Sequence, residues 1–190
     1  MEYMDEKILE IRNQNKKLEN KDIYKDVYVC GEKIEFEDVF FFDRKMSMRI
    51  PREYTDLPLA LAKIKYPAEQ RPQIIKANED GSVNITLSLY EQELKKEDIE
   101  SARNEIKAIF KRMFPANVFY DTKIEENENI KVGYFDYKSS ALDCDLYNVL
   151  FLTSIGGNSL LGTFNCKHSD MEEWKLVVPQ MIMSIKELTR

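Results

Sequence analysis

Hydrophobic and polar residues repeat with two different periods along this chain, and each change of period marks a new element. From Met1 to Leu18 the positions Met1, Met4, Ile8, Ile11, Asn15 and Leu18 are separated by 3 or 4 residues. That spacing gathers them on one stripe of a helix, in the heptad pattern of a coiled coil. Lys7 and Arg12 would meet as like charges in a parallel homodimer of this helix. The seam therefore admits either a homodimer or an amphipathic helix docked on its own domain. Residues 1–25 are read as an N-terminal helical arm, and residues 26–190 as one domain.

The pattern then turns to short strands. Cys30-Gly31-Glu32 supplies a turn between DVYV and KIEF, and VFFFD leads into MSMRI, where Met46, Met48 and Ile50 alternate with polar residues until Pro51. The Phe40-Phe41-Phe42 run predicts a strand buried on both faces, with an exposed binding patch as the other reading. DLPLALAKIKYP is a short helix, opened near Pro58 and closed before Pro67. QIIKAN and SVNITLSLY flank Glu79-Asp80-Gly81, a hairpin signal. In the second of these strands Val83, Ile85, Leu87 and Leu89 make a dry face, and Ser82, Asn84, Thr86 and Ser88 a polar one.

Helical period returns in KKEDIESARNEIKAIFKRMFP. Ile99, Ala102, Ile106, Ile109, Phe110 and Met113 form its stripe, acids come early and bases late, and Pro115 ends it. Three strands follow, NVFYDTKIEE, IKVGYFDYKS and DLYNVLFLTS. The last is apolar at both parities, which requires cover on both sides of its sheet and so predicts helices on both faces. Gly156-Gly157 turns the chain into NSLLGTFNC, placing Tyr147 opposite Cys166 and Cys144 on the other face. Ser169 and Glu172 form a capping-box pattern before a final helix with Trp174, Val178, Met181, Ile182, Ile185 and Leu188 on its stripe and Pro179 inside. The fold class expected is α+β, a three-layer α/β/α sandwich around a mainly antiparallel central sheet.

Composition narrows the function. The 190 residues carry a net charge of −6, which disfavours nucleic acid and anionic membranes as partners. The opening MEYMDEKILEIRNQ has no apolar signal region, so a cytoplasmic location is the expectation. The six glycines form no phosphate loop, and neither a nucleophile elbow nor an H-E-x-x-H pair is present. One histidine, His168, and three dispersed cysteines fall short of a zinc site or a disulfide framework. Asp143 and Asp145 share one face of a strand start and read as a solvated turn rather than a cation site. No catalytic residue, cofactor or metal is therefore assigned. Tyr120, Tyr134, Tyr137 and Tyr147 are the candidate partner-binding residues, with packing across adjacent strands as the competing explanation.

The order of these features resembles the PsbP-like superfamily. The resemblance rests on MSMRIP, RPQIIKANEDGSVNITLSL, the helix at 95–114, GYFDYKSSALDCDLYNVLFLTSIGGNSLLGTFNC and SDMEEWKLVVPQMIMSIKEL, over about residues 35–190. It implies an α/β/α sandwich without a shared active site, in a group whose members work mainly by binding other proteins. The function expected is a non-catalytic protein-interaction or adaptor module with an unknown protein partner. The alternative is a small-ligand or lipid-binding domain using the aromatic-lined sheet face.

Overall fold

The strand that is apolar at both parities lies inside a seven-stranded antiparallel sheet and is covered from both sides. The computed structural model describes residues 21–25, 27–141 and 143–188. The helix expected over residues 1–20 lies outside them.

A first hairpin joins β1 (Val27–Val29) to β2 (Glu32–Ile34), with Cys30 and Gly31 at φ 53° and 83° in the turn. A second joins β3 (Phe36–Phe41) to β4 (Met46–Pro51), and β5 (Thr55–Asp56) leads to α1 (Leu59–Lys65). Then come β6 (Ile74–Ala77), β7 (Asn84–Glu93), α2 (Ile99–Met113), β8 (Val118–Glu126), β9 (Lys131–Ser140), β10 (Asp145–Ile155) and β11 (Asn158–Lys167). The chain closes with α3 (Met171–Met183) and β12 (Lys186–Glu187). The main sheet runs β5-β6-β7-β11-β10-β9-β8, and a separate small sheet runs β12-β4-β3.

Parity explains the layers. On one face of the main sheet Tyr147, Val149 and Phe151 join Phe164 and Cys166 in a core closed by α3 and β4. On the other face Leu152 packs with Ile99 and Leu94 beneath α2. Gly133 allows this approach, because a Cβ there would stand 3.1 Å from Arg103 Cβ and 3.2 Å from Ile99 Cγ2. The three-layer α/β/α arrangement expected from the sequence is present: helix, antiparallel sheet, then a layer combining α3 with the small sheet.

Several local expectations need correction. Phe40 is exposed with the Arg44 guanidinium 4.1 Å above its ring, so β3 is not buried on both faces; it is an edge of the small sheet. The polar row Asn84, Thr86 and Ser88 is buried, because it pairs across the sheet: Asn84 Nδ2 donates to Asn165 Oδ1 at 3.0 Å, and the Thr86 and Thr163 hydroxyls are 2.7 Å apart. The capping box does not form. Residues 168–170 already make a 3-10 turn, so Ser169 lies inside the helical run and its hydroxyl donates to Asp170 instead. The last helix ends at Met183, and its final residues leave to pair with β4 as β12. Ile23, ahead of the expected domain start, is fully buried in the main core.

Candidate functional site

The four tyrosines do not share a surface. Tyr134 and Tyr147 are buried beneath α3, Tyr120 is exposed beside the same helix, and Tyr137 is half-buried on the α2 face. The buried pair serves a polar network. Tyr147 Oη donates to Asp136 Oδ2 at 3.0 Å, the Asp121 N–H donates to Asp136 Oδ1 at 2.6 Å, and Lys175 Nζ bridges Asp136 and Asp121 at 3.3 and 2.9 Å. Tyr134 donates to Glu125. Burial and the charge of Asp136 push the Tyr147 phenol far above its ordinary value, and burial with the Glu125 bond does the same to Tyr134. Burial alone would lower Lys175, yet its bond to Asp121 and the charge of Asp136 raise it. The cavity at this network is only about 20 Å³, room for roughly one water. Its buried carboxylate is satisfied on both oxygens, which is a structural arrangement.

The other polar candidates are scattered. Asp145 is held by Lys138 at 3.0 Å and Ser140 at 2.9 Å, while Asp143 is exposed. Cys166 faces Tyr147 as the register predicts, and burial pushes its thiol far up. Burial and the nearby Asp170 and Glu173 push Cys30 up to about 11. Nucleophilic thiols are shifted the other way. His168 sits in the 3-10 turn with Nε2 2.9 Å from Tyr120 Oη. Among the described residues, no three His, Cys, Asp or Glu side chains are placed to hold a metal ion.

What the chain displays instead is apolar surface on the α2 side. The stripe of α2 is buried only over its first half, where Ile99, Ala102 and Ile106 pack on Leu94, Leu152 and Leu161. Beyond that, Ile109 is 43% exposed, Met113 62% and Phe114 46%. The short α1 lies on the same face and buries only Ala62, leaving Leu61 47% and Ile64 75% exposed. Tyr66, at its C-terminal end, reaches Asn165 across the sheet at 3.5 Å. Phe110 of α2 packs tilted or edge-on against Phe114, Phe135 and Tyr137, with ring centroids 5.6, 6.0 and 5.9 Å away. Burial pushes the Tyr137 phenol up to about 12, with Tyr66 adding to the effect.

This face is also basic within an acidic protein. Lys63 and Lys65 close α1, and Lys107, Lys111 and Arg112 lie along the second half of α2. Lys107 and Lys111 stand 5.7 and 5.5 Å from the Phe119 ring centre. Burial first, then the charges of Lys111 and Arg103, hold Lys107 below its ordinary value.

A second feature is a cleft of about 650 Å³. Its walls come from the β1–β2 hairpin, the segment Pro51–Thr55, the β6–β7 turn and the start of α3. None of the four predicted tyrosines lines it.

Comparison with known proteins places the fold. No protein-family model matches the chain, and no curated protein is similar to it in sequence. Solved structures do match. Cyanobacterial PsbP (CyanoP) from Synechocystis is similar with a TM-score of 0.59 at 7% identity, over 80% of this chain and 92% of that one. The Ran-binding protein Mog1p of Saccharomyces cerevisiae is similar with a TM-score of 0.51 at 9% identity, over 81% of this chain and 96% of that one. A protein from Bacteroides thetaiotaomicron gives 0.54 at 10% identity, over 81% of this chain and 49% of that one. The chain has the PsbP-like fold.

Proposed function

We propose that the protein is a non-catalytic interaction module that docks a protein partner on the face carrying α1 and α2. One observation carries this reading: large apolar side chains of both helices stand exposed on a face floored with aromatic rings. Exposed apolar groups gathered around an aromatic floor and rimmed by charge are the ordinary anatomy of a binding surface. The lysines around them fit a partner segment that is apolar at its centre and acidic at its edges. The yeast neighbour is a Ran-binding protein, so this fold is used to bind protein in at least one instance. The buried and satisfied state of Asp136 and the raised thiols of Cys30 and Cys166 support the non-catalytic part of the proposal.

The test compares variants in quantitative affinity capture. Wild type and a Phe40→Glu control, changed on the opposite layer, are expected to recover the same stoichiometric partner. Ile64→Glu combined with Met113→Glu is expected to lose it by about tenfold or more, since charges are placed in the contact core. Equal recovery by all three proteins, or no stoichiometric partner for wild type, contradicts the proposal.

A further inference from the structure

The chain's own N-terminal sequence has the chemistry that complements the α1/α2 face. Its helical-period stripe of Met1, Met4, Ile8, Ile11 and Leu18 is apolar. Off that stripe, residues 1–11 carry Glu2, Asp5, Glu6 and Glu10 against a single base, Lys7. The face offers the opposite pattern. Leu61, Ile64, Ile109, Met113 and Phe114 stand exposed on it. Over α1 and residues 105–113 the bases Lys63, Lys65, Lys107, Lys111 and Arg112 are set against one acid, Glu105. An apolar stripe bordered by acids, laid on apolar side chains rimmed by lysines, is helix-in-groove recognition with matched charge.

The point where this segment is tied decides whose face it reaches. Lys21 Nζ meets Glu173 Oε2 of α3 at 2.8 Å, and the Gln180 amide of the same helix donates to the Lys21 carbonyl. Ile23 is fully buried in the core closed by α3. That anchor belongs to the layer opposite α2. With the stripe helical as far as Leu18, the link from Leu18 to Lys21 spans at most about 11 Å. The outer side of α2 is a sheet and a helix diameter away, roughly 20 Å together. The stripe therefore falls short of the face of its own chain, whereas the face of a second copy carries no such limit.

We propose that the N-terminal stripe of one copy docks on the α1/α2 face of a second copy, so that two chains exchange arms in a symmetric dimer. The proposal rests on the reading of that face as a docking surface. It gives the face an occupant of its own, which any other partner has to displace.

The experiment is light scattering on the full chain and its variants. Wild type is expected at twice the mass of one chain. Ile8→Glu/Ile11→Glu and Ile64→Glu/Met113→Glu are each expected at the monomer mass, both keeping cooperative thermal unfolding. Mixed in equal amounts, the two variants are expected to regain a dimer, because one intact arm then meets one intact face. A monomeric wild type overturns the proposal, and so does a mixture that stays monomeric. A dimer lost in Ile8→Glu/Ile11→Glu but kept in Ile64→Glu/Met113→Glu is an arm-to-arm coiled coil and overturns it as well. Partner capture separates this failure from failure of the docking face. A monomeric wild type whose capture is lost in Ile64→Glu/Met113→Glu removes the arm exchange alone, and a dimer and capture both unchanged in that variant remove both readings.

Discussion

Single residues decide how tightly the main sheet closes on its core. Gly162 stands opposite Phe151 in the β10–β11 pair, and a Cβ there would lie 2.0 Å from Phe151 Cζ. The Phe151 ring occupies the space that a side chain on β11 would need. Gly162→Ala is therefore expected to lower stability by about 1–3 kcal/mol, read from the urea midpoint. An unchanged midpoint would show that the ring moves aside without cost. Phe42, Asp43 and Arg44 form the opposite case, because three non-glycine residues in a row adopt φ of 54°, 53° and 63° to turn β3 into β4. No glycine stands at that turn, so period alone could not reveal its left-handed backbone.

Elements were legible where packing follows period. The β6–β7 hairpin, the Gly156-Gly157 turn and the pairing of Tyr147 with Cys166 all follow from alternation and turn residues. The stripe of α2 misled in its second half: Ile109 and Met113 keep helical spacing yet are exposed, whereas Ile99 is buried and Ile106 partly covered. Periodicity reports which side of a helix is apolar, not how far its cover extends. A warning was present in α1, where Leu59, Leu61 and Ile64 lie on more sides than a seven-residue helix can bury. The network joining β8, β9 and α3 was less legible still. Asp121, Asp136, Tyr147 and Lys175 are far apart in sequence and meet only through sheet register. Its pH dependence is predictable in sign. The Lys175 bond holds Asp121 below its ordinary value, so its stabilising contribution is complete above about pH 4 and lost as pH falls through its folded value. Lys175, raised overall, contributes below its ordinary value and loses that contribution as pH rises through its folded one. Asp121→Asn is expected to lower the urea midpoint at neutral pH and to converge on wild type in acid. Parallel curves down to pH ~2 would contradict the coupling.

At the scale of the whole molecule, the three layers give the two sides different roles. The α3 side holds the larger core and its satisfied polar network, whereas the α2 side holds a smaller core and the displayed apolar residues. The strand apolar at both parities made the layering readable in advance, but it did not locate the proposed docking face. The tyrosines chosen from strand sequence are divided between two faces, because neighbouring residues of a strand point in opposite directions and register alone decides which side each serves. The candidate face instead belongs to two helices far apart in sequence. The most direct test is hydrogen exchange on the complex with the captured partner. The account predicts new protection in residues 59–66 and 106–114, with the exchange of α3 and β3 unchanged. Protection confined to α3 or to the small sheet would place the partner on the other side of the molecule and contradict it.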